Sequence, residues 1–97
     1  MAQFHVYRLP GGQLVMDLQS DLIAPPTRVV APLFALSEGP PRFPRMEPVF
    51  VIGEEPHALH TGEMAALPRH LLTRSIVDLS SEEDTIRRAL DIVFSGF

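Results

Sequence analysis

The sequence predicts a mainly β protein with a C-terminal α-helix, and three observations carry that reading. Short alternating or wholly apolar runs recur up to about Leu79, each bounded by Pro, Gly, Asp or Ser. From about Ser81 the apolar spacing changes to that of a helix. The chain has 97 residues, enough for a single domain with one modest core.

Residues 3–9 read as a first strand, with Phe4 and Val6 on one face and His5 and Tyr7 on the other. Pro10, Gly11 and Gly12 make a turn, and residues 14–18 return as the hairpin partner. Asp17 to Asp21 is polar enough to bond its own backbone and end that ladder. Pro25 and Pro26 block further pairing, and residues 28–34 form a third strand in which Pro32 points to an edge or a bulge. Residues 37–48 hold Pro40, Pro41, Pro44 and Pro48 and read as a long loop. Val49-Phe50-Val51-Ile52 is the most apolar run and predicts a central strand buried on both faces. The segment from Gly53 to Pro56 turns it into a partner over 57–61, residues 64–67 read as a helical turn or bulge, and a last strand is expected around 75–79.

The helix is the clearest element. Ser80 and Glu83 have capping-box spacing, and Glu82, Glu83 and Asp84 suit the positive end of the dipole. Ile86, Ala89, Leu90, Val93 and Phe94 share one predicted buried face. Glu83–Arg87 and Asp84–Arg88 are i,i+4 pairs worth about 0.2–0.5 kcal/mol each. The helix is followed by Ser95-Gly96-Phe97, an aromatic tip suited to docking on a partner.

Composition narrows the function. There is no cysteine, so no disulfide framework and no thiolate metal site. No apolar run is long enough to span a membrane, and the start, Met1-Ala2-Gln3-Phe4-His5, has no basic segment and no apolar core of a signal peptide; a cytoplasmic location is expected. All eight basic residues are arginine and the net charge is -4, which disfavours direct nucleic-acid binding and suits a basic partner. No phosphate loop, dinucleotide fingerprint or metalloprotease motif is present. His57 and His60 fall on opposite faces of a strand, so they read as surface residues and not as metal ligands. Arg42 and Arg45 either meet an acidic partner or keep the loop soluble. Leu22 and Ile23 either pack under a loop or form an exposed apolar contact beside the helix tip.

Several blocks, in order along nearly the whole chain, resemble the CcdB family, the toxins of bacterial toxin–antitoxin pairs that poison DNA gyrase. Gln3-Phe4-His5-Val6-Tyr7 resembles the family's Q-F-x-V-Y, and the segment from Met16 to Ile23 resembles V-D-V-Q-S-D-I-I. Val30-Ala31-Pro32-Leu33 resembles V-I-P-L, the segment from Pro48 to Gly53 resembles P-V-V-H-I-G, and Thr61 to Ala65 resembles T-x-D-M-A. Asp84 to Asp91 with Phe94-Ser95-Gly96-Phe97 resembles D-I-x-x-A-I-N followed by F-W-G-I.

The resemblance implies an SH3-like small barrel of the CcdB and MazF type and a homodimer with Ile23 and Val93 among its contacts. It also implies a helix tip that binds the GyrA subunit and traps gyrase on cleaved DNA, with neutralisation by a CcdA-like antitoxin. The implied gyrase-binding residues are Ser95, Gly96 and Phe97, with Ser20 and Ile23 as a second patch. Arg42, Phe43 and Arg45 are expected at the antitoxin. The protein would be an inhibitor with no catalytic residue, no metal and no cofactor. Ser95 departs from the pattern, since the family has Trp there. Two other readings follow: an endoribonuclease like MazF, for which the sequence alone clusters no acid, base and cation, or a homologue that keeps the antitoxin but has lost gyrase poisoning.

Overall fold

The computed structural model describes residues 2–96. Seven strands and one α-helix follow in the order β1 (His5–Arg8), β2 (Leu14–Asp17), β3 (Thr27–Ala35), β4 (Val49–Ile52), β5 (Glu55–Leu59), β6 (Ala65–Pro68), β7 (Ser75–Asp78) and α1 (Glu83–Ser95). Single 3-10 turns occupy Thr61–Glu63, Arg69–Leu71 and Ser80–Glu82. All pairings are antiparallel, in the order β4-β5-β3-β2-β1-β7, with β6 also on β3. The result is a half-barrel with a C-terminal helix, the mainly β architecture the sequence predicts.

The hairpins form where glycine permits them. Gly12 has φ +95°, and its N–H closes the β1–β2 turn on Leu9 O at 2.8 Å. Gly53 (φ +58°) and Glu54 (φ +75°) form the two-residue β4–β5 turn, whose left-handed residues match the twist of the strands.

The nine-residue β3 is the hub. Its first half pairs with β6 (Val30↔Ala65) and its second with β5 (Leu33↔Leu59), while β2 runs along its other edge (Met16↔Ala31). Pro32 therefore lies inside a central strand and not at an edge or bulge. Its carbonyl accepts from His60 N at 2.9 Å. N and C=O of one strand residue face the same side, so the missing N–H falls where β3 changes partner from β6 to β5 and breaks no bond to β2.

Three further expectations are corrected. The apolar run Val49–Ile52 is an end strand, with Val51 68% exposed. The strand buried on every residue is β2. Residues 65–68 form β6, paired with β3 through Val29↔Ala66, and are not a helical turn. Ser80 does not cap α1: it opens a 3-10 turn that leads into the helix, with no side-chain cap bond.

Alternation divides the core between the two faces of the sheet. Phe4, Val6, Leu14, Met16, Leu18, Leu33, Leu59 and Ile86 belong to the main cluster, with Leu90 packed against it. Tyr7, Val15, Val30 and Leu72 form the smaller one. Phe4 sits at φ +67°, an unusual conformation for a bulky residue. It is held there by its burial and by two backbone bonds, Phe4 N–H to Asp17 O (2.6 Å) and Leu79 N–H to Phe4 O (3.0 Å).

Candidate functional site

Helix α1 docks through Ile86 and Ala89, both buried, with Leu90 half-buried beside them. Glu83 Oε2 accepts from Arg87 Nε at 2.8 Å on the solvent side. The apolar stripe does not stay buried to its end. Val93 is half-buried, and Phe94, expected on the inner face, is 72% exposed. Gly96 ends the helix at φ +81° with its N–H on Ile92 O at 2.9 Å, a left-handed cap that glycine adopts without strain. The tip thus presents Phe94, Ser95 and Gly96 to solvent. Phe97 lies outside the described residues.

Ser20 and Ile23 sit between β2 and β3, in a segment that starts from Leu18 of the main core cluster, to which Ile86 of the helix also belongs. Leu22 is 95% exposed and Ile23 58% exposed, so this pair is surface and not core. The segment is fixed from below. Asp17, fully buried, accepts from Arg28 Nε at 2.9 Å and pairs with the charge on Arg28 Nη2 at 2.8 Å. Burial raises the Asp17 carboxyl while its bonds to Arg28 pull the other way, and the same pair holds the buried Arg28 firmly charged.

Arg42, Phe43 and Arg45 all lie exposed on the loop that follows β3, with Phe43 at 66%. The loop is anchored by a cluster that no local pattern announces. Glu47 and His60, both buried, meet at 3.0 Å between Oε2 and Nδ1, and Glu63 Oε2 lies 3.3 Å from the same nitrogen. Glu47 Oε1 accepts from Phe43 N at 2.5 Å, Arg42 Nη1 donates to Glu47 O at 3.1 Å, and Thr61 Oγ1 donates to Met46 O. Phe34 stands edge-on to His60, 4.9 Å between ring centres. His60 is therefore a buried anchor and not the surface residue expected. A cavity of about 290 Å³ opens here between Pro41, Phe43, Met46, His60 and Glu63.

A larger groove, about 500 Å³, is lined in part by Leu14, Leu33 and Ile52. Arg8, Glu38, Glu55 and His57 line it. This grouping has no local signature, because Arg8 comes from β1, Glu38 from the loop after β3, and Glu55 and His57 from β5. His57 Nδ1 donates to Glu55 O at 2.9 Å, which leaves Nε2 of the neutral ring as an acceptor. The remaining histidines lie apart: His5 is 3.5 Å from Asp78, and His70 is exposed. Among the described residues no group of three or more His, Asp or Glu is arranged to hold a metal ion, and no helix is long and apolar enough to cross a membrane.

Solved structures share this fold. A Mycobacterium tuberculosis toxin, MazF-mt6, matches with a TM-score of 0.72 at 22% identity over 93% of each chain. An endoribonuclease in complex with its cognate antitoxin, from a Mycobacterial species, matches with a TM-score of 0.74 at 12% identity over 97% of this chain and 94% of that one. At such identities the likeness establishes the architecture. The family model that matches residues 3–96 is that of the CcdB protein. With nearly the whole chain covered, the protein belongs to the CcdB family of toxins of toxin–antitoxin systems.

Proposed function

We propose that this protein is a gyrase-directed toxin that acts by binding and not by catalysis, as a homodimer, and is neutralised by a CcdA-like antitoxin. The observation that carries the reading is the solvent-exposed Phe94 at a helix end closed by Gly96. Ser95 occupies the position of the family's Trp, and an aromatic face is what a guanidinium-bearing surface stacks on. Phe94, one residue earlier and turned outward, supplies that face. Ser20 and Ile23 serve as the second contact with gyrase, Ile23 and Val93 contribute to the dimer, and Arg42, Phe43 and Arg45 meet the antitoxin. The net charge of -4 favours a basic partner surface.

The test is supercoiling and DNA cleavage by purified gyrase with the protein added. Trapped double-strand breaks are expected, and they should vanish on Phe94→Ala or on removal of residues 95–97. A folded protein that leaves gyrase untouched at high concentration refutes the proposal and favours a homologue that keeps only the antitoxin.

One observation favours a second reading, endoribonuclease activity. Arg8 and His57 line the same groove, a cation and a base of the kind RNA cleavage uses, and structures with this fold include endoribonucleases. RNA cleavage by pure protein, abolished by His57→Ala, would establish it and displace the first.

A further inference from the structure

Arg28 lies in β3, away from the helix tip in sequence, yet its guanidinium reaches the chain that leads into Leu22 and Ile23 at Asp17, Gln19 and Asp21. Nε donates to Asp17 Oδ2 at 2.9 Å, and Nη2 stands 2.8 Å from the same oxygen as an ion-pair contact. Nη2 also donates to Gln19 O at 2.8 Å and to Asp21 Oδ1 at 3.1 Å. One buried side chain therefore grips the end of β2, the second residue beyond it and the acid before Leu22.

The surrounding bonds close the frame. Asp17 Oδ1 accepts from Gln19 N at 3.1 Å, Gln19 Oε1 from Val29 N at 2.9 Å, and Ser20 Oγ from Leu22 N at 3.1 Å. Asp21 also accepts from Gln3 N at 3.1 Å, and Gln3 Nε2 donates to Leu18 O at 3.0 Å. A segment with Leu22 and most of Ile23 turned into water gains little from apolar burial in the free protein. Its conformation rests on these polar bonds.

We infer that Arg28 is a positioning residue, which holds the 19–23 segment in the conformation that presents Leu22 and Ile23 to the partner. The inference rests on the gyrase reading of that segment. The planar fork is essential to the role: a lysine ammonium is a point charge that keeps the pair with Asp17 but cannot reach Gln19 O and Asp21 together. Pre-ordering the segment spares binding the cost of ordering it.

The test uses Arg28→Lys and Asp21→Ala. Asp21 is exposed, so its variant releases the segment and leaves the buried Asp17–Arg28 pair in place. Hydrogen exchange at the Gln19 and Leu22 amides should accelerate in both variants while the amides of β2 and β3 stay protected. If release leaves the binding conformation populated about one time in ten, affinity for purified gyrase A falls about tenfold. In an Ile23→Ala background Asp21→Ala should cost much less, because the contact it positions is gone. Unchanged exchange at the two amides overturns the inference, and so does an equal loss of affinity with and without Ile23. If the wild type binds no gyrase A, the target reading falls on its own, and the exchange measurement still decides whether Arg28 orders the segment.

Discussion

Gly39→Ala is the sharpest single test of how the long loop is seated. A Cβ at residue 39 would stand 2.4 Å from Phe34 Cβ, 3.1 Å from Phe34 Cγ and 3.3 Å from Ala35 O. The nearest atom is the root of a β3 side chain, not the end of a flexible one, so rotation of Phe34 gives no relief. The loop must move outward, away from the bond of Gly39 N to Ala35 O at 2.9 Å. Overpacking of this kind costs about 1–3 kcal/mol. In a chain of this length about 1 kcal/mol lowers Tm by roughly 4–8 °C. Urea unfolding with a shared m-value measures the cost directly. Phe34→Ala keeps the offending Cβ and therefore should not rescue the variant, although it loses the edge contact with His60. A Gly39→Ala protein within about 0.5 kcal/mol of wild type, the range of ordinary surface substitutions, would refute the seating of the loop against β3. Because the same loop carries Arg42, Phe43 and Arg45, the variant should also bind antitoxin more weakly in calorimetric titration.

Three other outcomes follow. Ile86→Ala removes a fully buried side chain from the main cluster and should cost about 2–5 kcal/mol in urea unfolding. Gly96→Ala meets no atom within 4 Å, so its cost is the left-handed backbone alone, about 1–2 kcal/mol, seen as faster exchange of the residue-96 amide than in the wild type. The Asp78 carboxyl is held below its ordinary 3.8 by its hydrogen bonds to Ser80. A depressed carboxyl contributes stability above 3.8 that is lost as pH falls through its folded value, and Ser80→Ala should raise the Asp78 titration midpoint toward 3.8 by NMR.

What was legible in the sequence is what local chemistry dictates. The turns at Gly12 and Gly53 need φ > 0, and glycine announces them. Helix α1 shows its spacing over several turns, so its existence and buried residues Ile86 and Ala89 were readable. Neighbours in the sheet were not. Val49–Ile52 is apolar enough for a doubly buried strand, but nothing in four residues says that its far side has no partner. Ala65–Pro68 has no alternation to mark it as a strand; only the length of β3 gives it an edge to join. Phe94 continues the stripe by spacing, yet the stripe outruns the surface it packs on. Of the candidate site, the tip and the 20–23 segment were visible as local anomalies. The Glu47–His60 anchor joins residues from two separate connecting segments and has no local signature.

The two loops proposed as contacts both rest on buried polar pairs, and this has a consequence for how the surface can change. Glu47 with His60 sits beneath Phe43, and Asp17 with Arg28 sits beneath Leu22 and Ile23. Replacing a buried pair by well-packed apolar residues is often neutral or stabilising, whereas removing one partner alone is strongly destabilising. Such pairs are thus poor devices for raising stability and good ones for fixing geometry, since the bonds specify direction as well as distance. The exposed apolar residues above them contribute little to the fold and remain free to change with the partner. Substitutions at Leu22, Ile23, Phe43 and Phe94 should alter recognition at small cost in stability, and substitutions at Arg28 or Glu47 should cost both.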